Sequence, residues 1–169
     1  MQQIVTARLT HPFGTALVAA TDAGVVRIAF DRDDRAEVDQ ELAALGTVHE
    51  DPEALADTLD WLAGAVDGRP EGPTPACDLR LVSTPFARDV LAAIDAVPAG
   101  QTISYAELAA AAGRPRAIRA AAHVCATNPV PLVIGCHRIV RSDGRAGDYG
   151  GGRELKMHLI AREQIAVAG

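Results

Sequence analysis

The 169-residue chain lacks most of what would mark a secreted, disulfide-bonded or membrane-bound protein. Its three cysteines, Cys77, Cys125 and Cys136, are odd in number and widely spaced, which excludes a disulfide framework. There is no C-x-x-C and no H-x-x-x-H, so no zinc pattern is present. No apolar run approaches the ~20 residues of a membrane span. The start, Met1-Gln2-Gln3-Ile4-Val5, has neither the basic residues nor the apolar block of an export signal, so the cytoplasm is the expected compartment. The glycines of residues 144–152 do not follow a strand and open a helix, which argues against a dinucleotide cofactor.

Hydrophobic residues make up 49% of the chain and charged residues 22%, the balance of a globular protein. The length suits one good-sized domain or two small ones sharing an interface. The net charge is −6, unpromising for a nucleic-acid partner, but it is unevenly spread. Residues 1–83 hold six basic against fifteen acidic side chains, and residues 84–169 hold ten against seven. The second half can meet an anionic ligand while the acidic half sits away from it. An acidic half is also what a plain solvated surface looks like.

Along the chain, residues 14–20 and 25–30 read as strands joined by the turn Thr21-Asp22-Ala23-Gly24. Arg35 to Leu45 and Glu53 to Val66 have helical periodicity, the latter with Leu55, Leu59, Leu62 and Ala63 on one face. Residues 68–75 are too rich in proline and glycine for a packed element and read as a linker. A short strand is expected over Asp78–Val82. Thr84-Pro85 then opens a helix with the stripe Phe86, Val90, Leu91, Ile94 and Val97, ended by Pro98-Ala99-Gly100. Ser104 and Glu107 make a capping box for Tyr105 to Ala112, and Gly113 stops that helix. Pro115 starts a third helix to about Ala126, broken by Asn128-Pro129-Val130-Pro131. The expected fold class is α+β or α/β. A small N-terminal α/β lobe (residues 1–75) precedes a mostly helical C-terminal lobe with a helix-turn-helix (residues 76–169).

The helix pair around Gly113 is a weak DNA signal alone, since helix hairpins that bind nothing are common. The next helix adds information. Its run Arg116-Ala117-Ile118-Arg119-Ala120-Ala121-Ala122 offers methyl groups and two arginines rather than the side chains that read base edges. Such a surface suits close backbone approach in the minor groove with one side chain inserted into the stack. A buried alanine-rich packing helix has the same composition.

The segment Leu132-Val133-Ile134-Gly135-Cys136-His137-Arg138-Ile139-Val140 places reactive groups between aliphatic runs that read as buried strand or core. Cys136 is open to two readings: a small buried hydrophobe, or a thiolate activated by His137 and Arg138. Neighbours in an extended chain point to opposite faces, so contact between Cys136 and His137 needs a turn or a bridging water.

These residues resemble the O6-alkylguanine-DNA alkyltransferase family (methylated-DNA–protein-cysteine methyltransferase). The family hallmark Pro-Cys-His-Arg-Val stands here as Gly135-Cys136-His137-Arg138-Ile139. Upstream are Ser104-Tyr105-Ala106-Glu107-Leu108-Ala109, Arg114-Pro115-Arg116-Ala117-Ile118-Arg119-Ala120 and Asn128-Pro129-Val130-Pro131. Downstream are Val140 to Gly144, Gly147-Asp148-Tyr149-Gly150-Gly151-Gly152, Lys156 and Glu163. The likeness covers roughly residues 84–163 in consistent order; the N-terminal lobe matches in outline, through His11 to Leu17 and the hairpin.

The resemblance implies single-turnover DNA repair. The protein would bind double-stranded DNA through the minor groove, flip out an alkylated guanine and take its alkyl group on Cys136. His137 would receive the Cys136 proton through a water and Glu163 would orient the imidazole. Tyr105 would donate to the guanine ring, and a backbone N–H near Tyr149 and Gly150 to its oxygen. Arg119 would fill the gap in the stack, with Arg116, Ala120 and Ala122 alongside on the DNA face. Asn128 would brace the turn before the nucleophile. Pro131, Gly135, Ile139, Tyr149 and Gly150 would line the substrate pocket. No cofactor or metal is implied, and a monomer is expected.

Three positions depart from the family pattern. Gly135 replaces proline, so the nucleophile should be less preorganised or the pocket roomier. Gly150 removes a side-chain hydroxyl, and Leu91 stands where many relatives carry an aromatic. Two other functions compete: an alkyltransferase-like protein that binds damage without efficient transfer, and an unrelated thiol enzyme that turns over.

Overall fold

The computed structural model describes residues 2–169 and has an α+β architecture. The N-terminal part is a four-stranded sheet of β1 (Gln3–His11), β2 (Gly14–Thr21), β3 (Gly24–Phe30) and β4 (Thr47–Glu50), in the order β3-β2-β1-β4. β1, β2 and β3 pair antiparallel, and β4 adds parallel to β1. The expected hairpin is present. Gly24 closes it at φ +134, where an added Cβ would lie 2.3 Å from the Ala76 carbonyl oxygen. Between β3 and β4 runs α1 (Arg35–Leu45), capped by the Asp34 carboxylate at the Ala36 and Glu37 amides. After β4 comes α2 (Ala56–Val66), which buries Trp61, Leu62 and Val66.

β1 and β4 were not expected from the sequence, and the strand expected over Asp78–Val82 is not formed. Cys77 makes only an isolated bridge to Val25, and the chain then turns, with the Val82 amide bonded to the Leu79 carbonyl. The cause is Asp78. Its carboxylate accepts from Thr21 Oγ1 at 2.6 Å and from the Arg80 amide and guanidinium, which bends the backbone locally.

The C-terminal part contains α3 (Pro85–Asp95), β5 (Ile103–Ser104), α4 (Tyr105–Ala111), α5 (Ile118–Ala126), a 3₁₀ turn (Cys136–Arg138), β6 (Ile139–Val140) and α6 (Arg153–Ala168). α3 starts on the Thr84 cap with Pro85 at its first position, and buries Val90, Leu91 and Ile94. Each such side chain contributes about 1.5–3 kcal/mol of burial. The Ser104–Glu107 capping box is formed, and Gly113 adopts φ +79 at the turn into α5. That turn takes up residues 114–117, so α5 begins later than its Pro115 signal suggests.

The two parts share one apolar core reaching from Ala7 and Ile28 of the sheet to Leu155 and Leu159 of α6. The exposed edge of β3 is taken up by later chain: the Val25 amide donates to Ala76 and the Ile28 amide to Pro129. At its end, Phe30 packs on Tyr149, ring centroids 5.7 Å apart, and supports the loop at the mouth of the site. No described helix is long and apolar enough to cross a membrane.

Candidate active site

The run around Cys136 is buried as expected, but it is not a strand. Residues 130–135 follow an irregular path in which Leu132 takes φ +73, costly for a residue with a Cβ. Asn128 holds that path. Its amide nitrogen donates to the Ile134 carbonyl at 3.0 Å and its oxygen accepts from the Val130 amide at 3.0 Å. A 3₁₀ turn then carries Cys136, His137 and Arg138, so adjacent side chains diverge by a helical rather than an extended step.

Cys136 is 3% exposed and His137 2%. The imidazole Nε2 lies 2.8 Å from Glu163 Oε1. The carboxylate can only accept there, which assigns the proton to Nε2 and leaves Nδ1 as the acceptor. Nδ1 is buried and has no partner among the described residues. Burial lowers the His137 pKa against the pull of Glu163, so the ring is held neutral.

Glu163 is saturated. Besides His137 it accepts from Arg138 Nε and the second guanidinium nitrogen, at 3.0 and 2.8 Å, and from the Gly100 amide at 3.1 Å. Burial pushes its pKa up, but the His137 and Arg138 bonds outweigh this and hold it at about 2. Arg138 also donates to the Val97 carbonyl at 2.7 Å, tying the clamp to the end of α3. Arg138 therefore braces the active-site segment, as Asn128 does.

Lys156, the only lysine in the chain, is fully buried. Nζ donates to the Ile139 carbonyl at 2.6 Å and reaches the Asp148 carbonyl at 3.4 Å, joining the segment after Cys136 to the loop before Tyr149. Nζ also lies 5.8 Å from the centre of the Tyr105 ring. Desolvation lowers its pKa.

A cavity of about 460 Å³ opens beside Cys136, within the range of small-ligand sites. Tyr105, Ala122, Cys125, Tyr149 and Gly150 form much of its wall. A groove of about 510 Å³ reaches Cys136, Tyr149 and Gly150 from the other side and includes Pro131. The Tyr149 and Gly150 amides have no acceptor among the described residues. The Tyr105 hydroxyl faces Gly147, where an added Cβ would come within 3.2 Å of it. Burial raises the Tyr105 pKa to about 12, so the phenol keeps its proton.

Two expected pocket residues do not line this space. Ile139 is fully buried in the core and pairs with Ile103. Gly135 lies against Arg138, where an added Cβ would sit 2.9 Å from the guanidinium carbon. The missing side chain makes room for the clamp rather than for a ligand. Its φ of −72 is one that proline also adopts, so the packing sets the position apart and not the dihedral. Conversely, Cys125 is not among the expected pocket residues, yet it lines the cavity and its thiol donates to the Cys136 carbonyl at 3.6 Å. The nearby Cys125 and Asn128 side chains, with the Lys156 charge, lower the Cys136 thiol pKa against the opposing effect of burial, Cys125 having the largest effect.

α5 buries Ala121 and Cys125 and presents Arg119 and Ala120 to solvent, with Ala122 half-buried at the cavity wall. Arg116 is exposed in the turn before it. Arg114 is occupied by Phe86, its guanidinium 5.2 Å from the ring centre. Among the described residues no cluster of three His, Cys, Asp or Glu side chains could hold a metal.

A family model described as "6-O-methylguanine DNA methyltransferase, DNA binding domain" matches residues 85–165. The constitutive methylated-DNA–protein-cysteine methyltransferase of Bacillus subtilis is 30% identical over 156 residues, 92% of each chain. The enzyme of that name from Methanothermobacter thermautotrophicus is 45% identical over 86 residues, 51% of this chain and 48% of the other. The chain spans about half the length of several of its curated relatives. The crystal structure titled as Mycobacterium tuberculosis OGT in complex with DNA superposes with a TM-score of 0.79 at 26% identity, covering 96% of this chain and 93% of that one.

Proposed function

The chain belongs to the methylated-DNA–protein-cysteine methyltransferase family, and from that premise we propose that it repairs O6-alkylguanine in DNA by moving the alkyl group onto Cys136. The observation that carries this reading is the unpartnered Nδ1 of His137, buried beside Cys136 while Glu163 holds Nε2. That is a neutral base with its lone pair free and its tautomer fixed.

The chemistry follows from these groups. A water between Nδ1 and Cys136 carries the thiol proton to the ring, and Glu163 stabilises the imidazolium. The sulfur attacks the alkyl carbon, the carbon–oxygen bond breaks and guanine leaves with the electron pair. Its developing negative charge meets the Tyr105 hydroxyl and the free Gly150 amide. The thioether product cannot be reversed by thiol exchange, so one molecule acts once.

DNA lies across α5 with its minor groove on Ala120 and Ala122, and Arg119 takes the place of the flipped nucleotide. Among the described residues Arg119 and Arg116 have no ion pair, so neither gives up such a partner to meet phosphate or bases. Asn128 keeps the nucleophile's turn in shape, and Pro131, Tyr149 and Gly150 bound the base. The protein acts as a monomer in the cytoplasm.

The test is intact mass after incubation with duplex DNA carrying O6-methylguanine. The protein should gain one methyl group, and Cys136→Ala none. Tight binding with unchanged mass would point instead to a damage-binding protein. Product beyond one equivalent would point to a thiol enzyme that turns over.

A further inference from the structure

Two of the three cysteines share one cavity. Cys125 comes from the last turn of α5 and Cys136 from the 3₁₀ turn, and both thiols are free. They are 8% and 3% exposed, out of reach of large reagents but open to a small molecule entering the cavity. The Cys125 sulfur already touches the Cys136 residue, 3.6 Å from its carbonyl oxygen. Alkyl transfer needs one sulfur and leaves Cys125 unused.

We propose that Cys125 is a resolving thiol for Cys136: hydrogen peroxide entering the cavity oxidises Cys136, and Cys125 closes a reversible Cys125–Cys136 disulfide. In the first step the Cys136 thiolate attacks one peroxide oxygen. The oxygen–oxygen bond breaks, and the departing hydroxide is protonated to water. Cys136 is then a sulfenic acid. In the second step the Cys125 sulfur attacks the sulfenic sulfur and the sulfur–oxygen bond breaks. The Cys125 proton leaves with the hydroxyl as a second water. Two thiols and one peroxide thus give one disulfide and two waters. A dithiol reverses the bond by exchange.

The two thiols are unequal in the order this sequence needs. The Cys136 thiol is lowered, chiefly by the nearby Cys125 thiol, so it is the one that reacts with peroxide. The Cys125 thiol is raised by its nearness to Cys136 and by burial, so it stays protonated until a sulfenic acid forms beside it. From the cavity they share the sulfurs still have to approach to about 2 Å, a change that falls to the side-chain torsions. A protein that acts once has particular use for such a bond. Further oxidation of Cys136 to sulfinic acid would discard the molecule, whereas a disulfide stores the nucleophile in recoverable form.

That consequence rests on the alkyl-transfer reading; the bond itself does not. The experiment treats the reduced full chain with hydrogen peroxide at near-equal concentration and reads mass and peptide map without reductant. The expected result is loss of two hydrogens, one linked peptide joining Cys125 to Cys136, and Cys77 free. Cys77→Ser should behave identically. Cys125→Ser and Cys125→Ala should instead gain two or three oxygens on Cys136. Dithiothreitol should return the oxidised parent, but neither variant, to the methyl uptake of its own untreated sample. The proposal is overturned if the parent accumulates oxygens on Cys136 with Cys125 still free, or if the linked peptide contains Cys77. The map of the unsubstituted chain decides this even where a variant does not fold. Untreated protein that takes no methyl group would sink the alkyl-transfer reading and leave the disulfide result standing.

Discussion

The sheet and the Cys136 segment are held in shape by different means. β1 to β4 are ordered by repeated backbone pairing and by apolar residues on both faces, Val18 and Ile28 in one cluster and Ile4 and Val26 in the other, all fully buried. Residues 128–150 have almost no regular pairing; local backbone turns and single buried side chains such as Asn128, Arg138 and Lys156 hold their path. Of the six buried polar or charged side chains among the described residues, Asn128, His137, Lys156 and Glu163 surround this segment, and Thr6 and Asp78 lie elsewhere. A lost contact in the sheet is shared among many neighbours. A lost partner at the site leaves a specific buried group unpaired.

The largest effect that separates the two regions is expected from Glu163→Gln. It removes the charge facing Arg138 and frees the His137 tautomer, so the single-turnover methylation rate should fall about 10²-fold or more. Stability should fall by about 3–5 kcal/mol, because the guanidinium is left uncompensated. Rapid-quench mass spectrometry and urea unfolding check the two halves. Ile4→Ala in the sheet should cost about 2–5 kcal/mol of stability. The methylation rate per folded molecule should not change; a slowed rate would mean the regions are not separable in this way.

Gly135→Ala is a finer probe. The new Cβ must displace the Arg138 guanidinium, which Glu163 and Val97 hold. Overpacking of about 1–3 kcal/mol is partly offset by the stiffer unfolded chain, for a net loss of about 1 kcal/mol. The rate should drop less than in Glu163→Gln. An unchanged rate would show that the clamp tolerates movement.

Mild acid is the gentlest test. The folded pKa of His137 lies below its ordinary 6.5, so the unfolded chain takes up the proton first. That contribution to stability is complete above 6.5 and is lost as pH falls from there. The Glu163 contribution is complete above 4.5 and is lost towards about 2. Denaturation curves across pH should show both slopes, and His137→Asn should remove the first.

What was legible in the sequence was local chemistry. The hairpin, the Thr84 and Ser104 caps and the Gly113 stop each rest on neighbours within a few residues, and each stands where it was read. β4 was not legible because all four of its residues are exposed, and only its pairing with β1 makes it a strand. Asp78–Val82 misled because its alternation is that of a strand, while its turn depends on Thr21, far away in the chain. At the site, family resemblance supplied the residues, but the reasons lay in tertiary contacts. The Arg138 clamp, the Lys156 bridge and the nearness of Cys125 all join segments that no local pattern connects.

In the proposed reaction Cys136, served by His137 and Glu163, is the alkyl acceptor. Its most direct test is a peptide map of the full chain after incubation with one equivalent of duplex carrying a labelled O6-methylguanine. A single label is expected, on Cys136, with no further uptake when more duplex is added. Label on Cys125 or Cys77, or none at all, would contradict it.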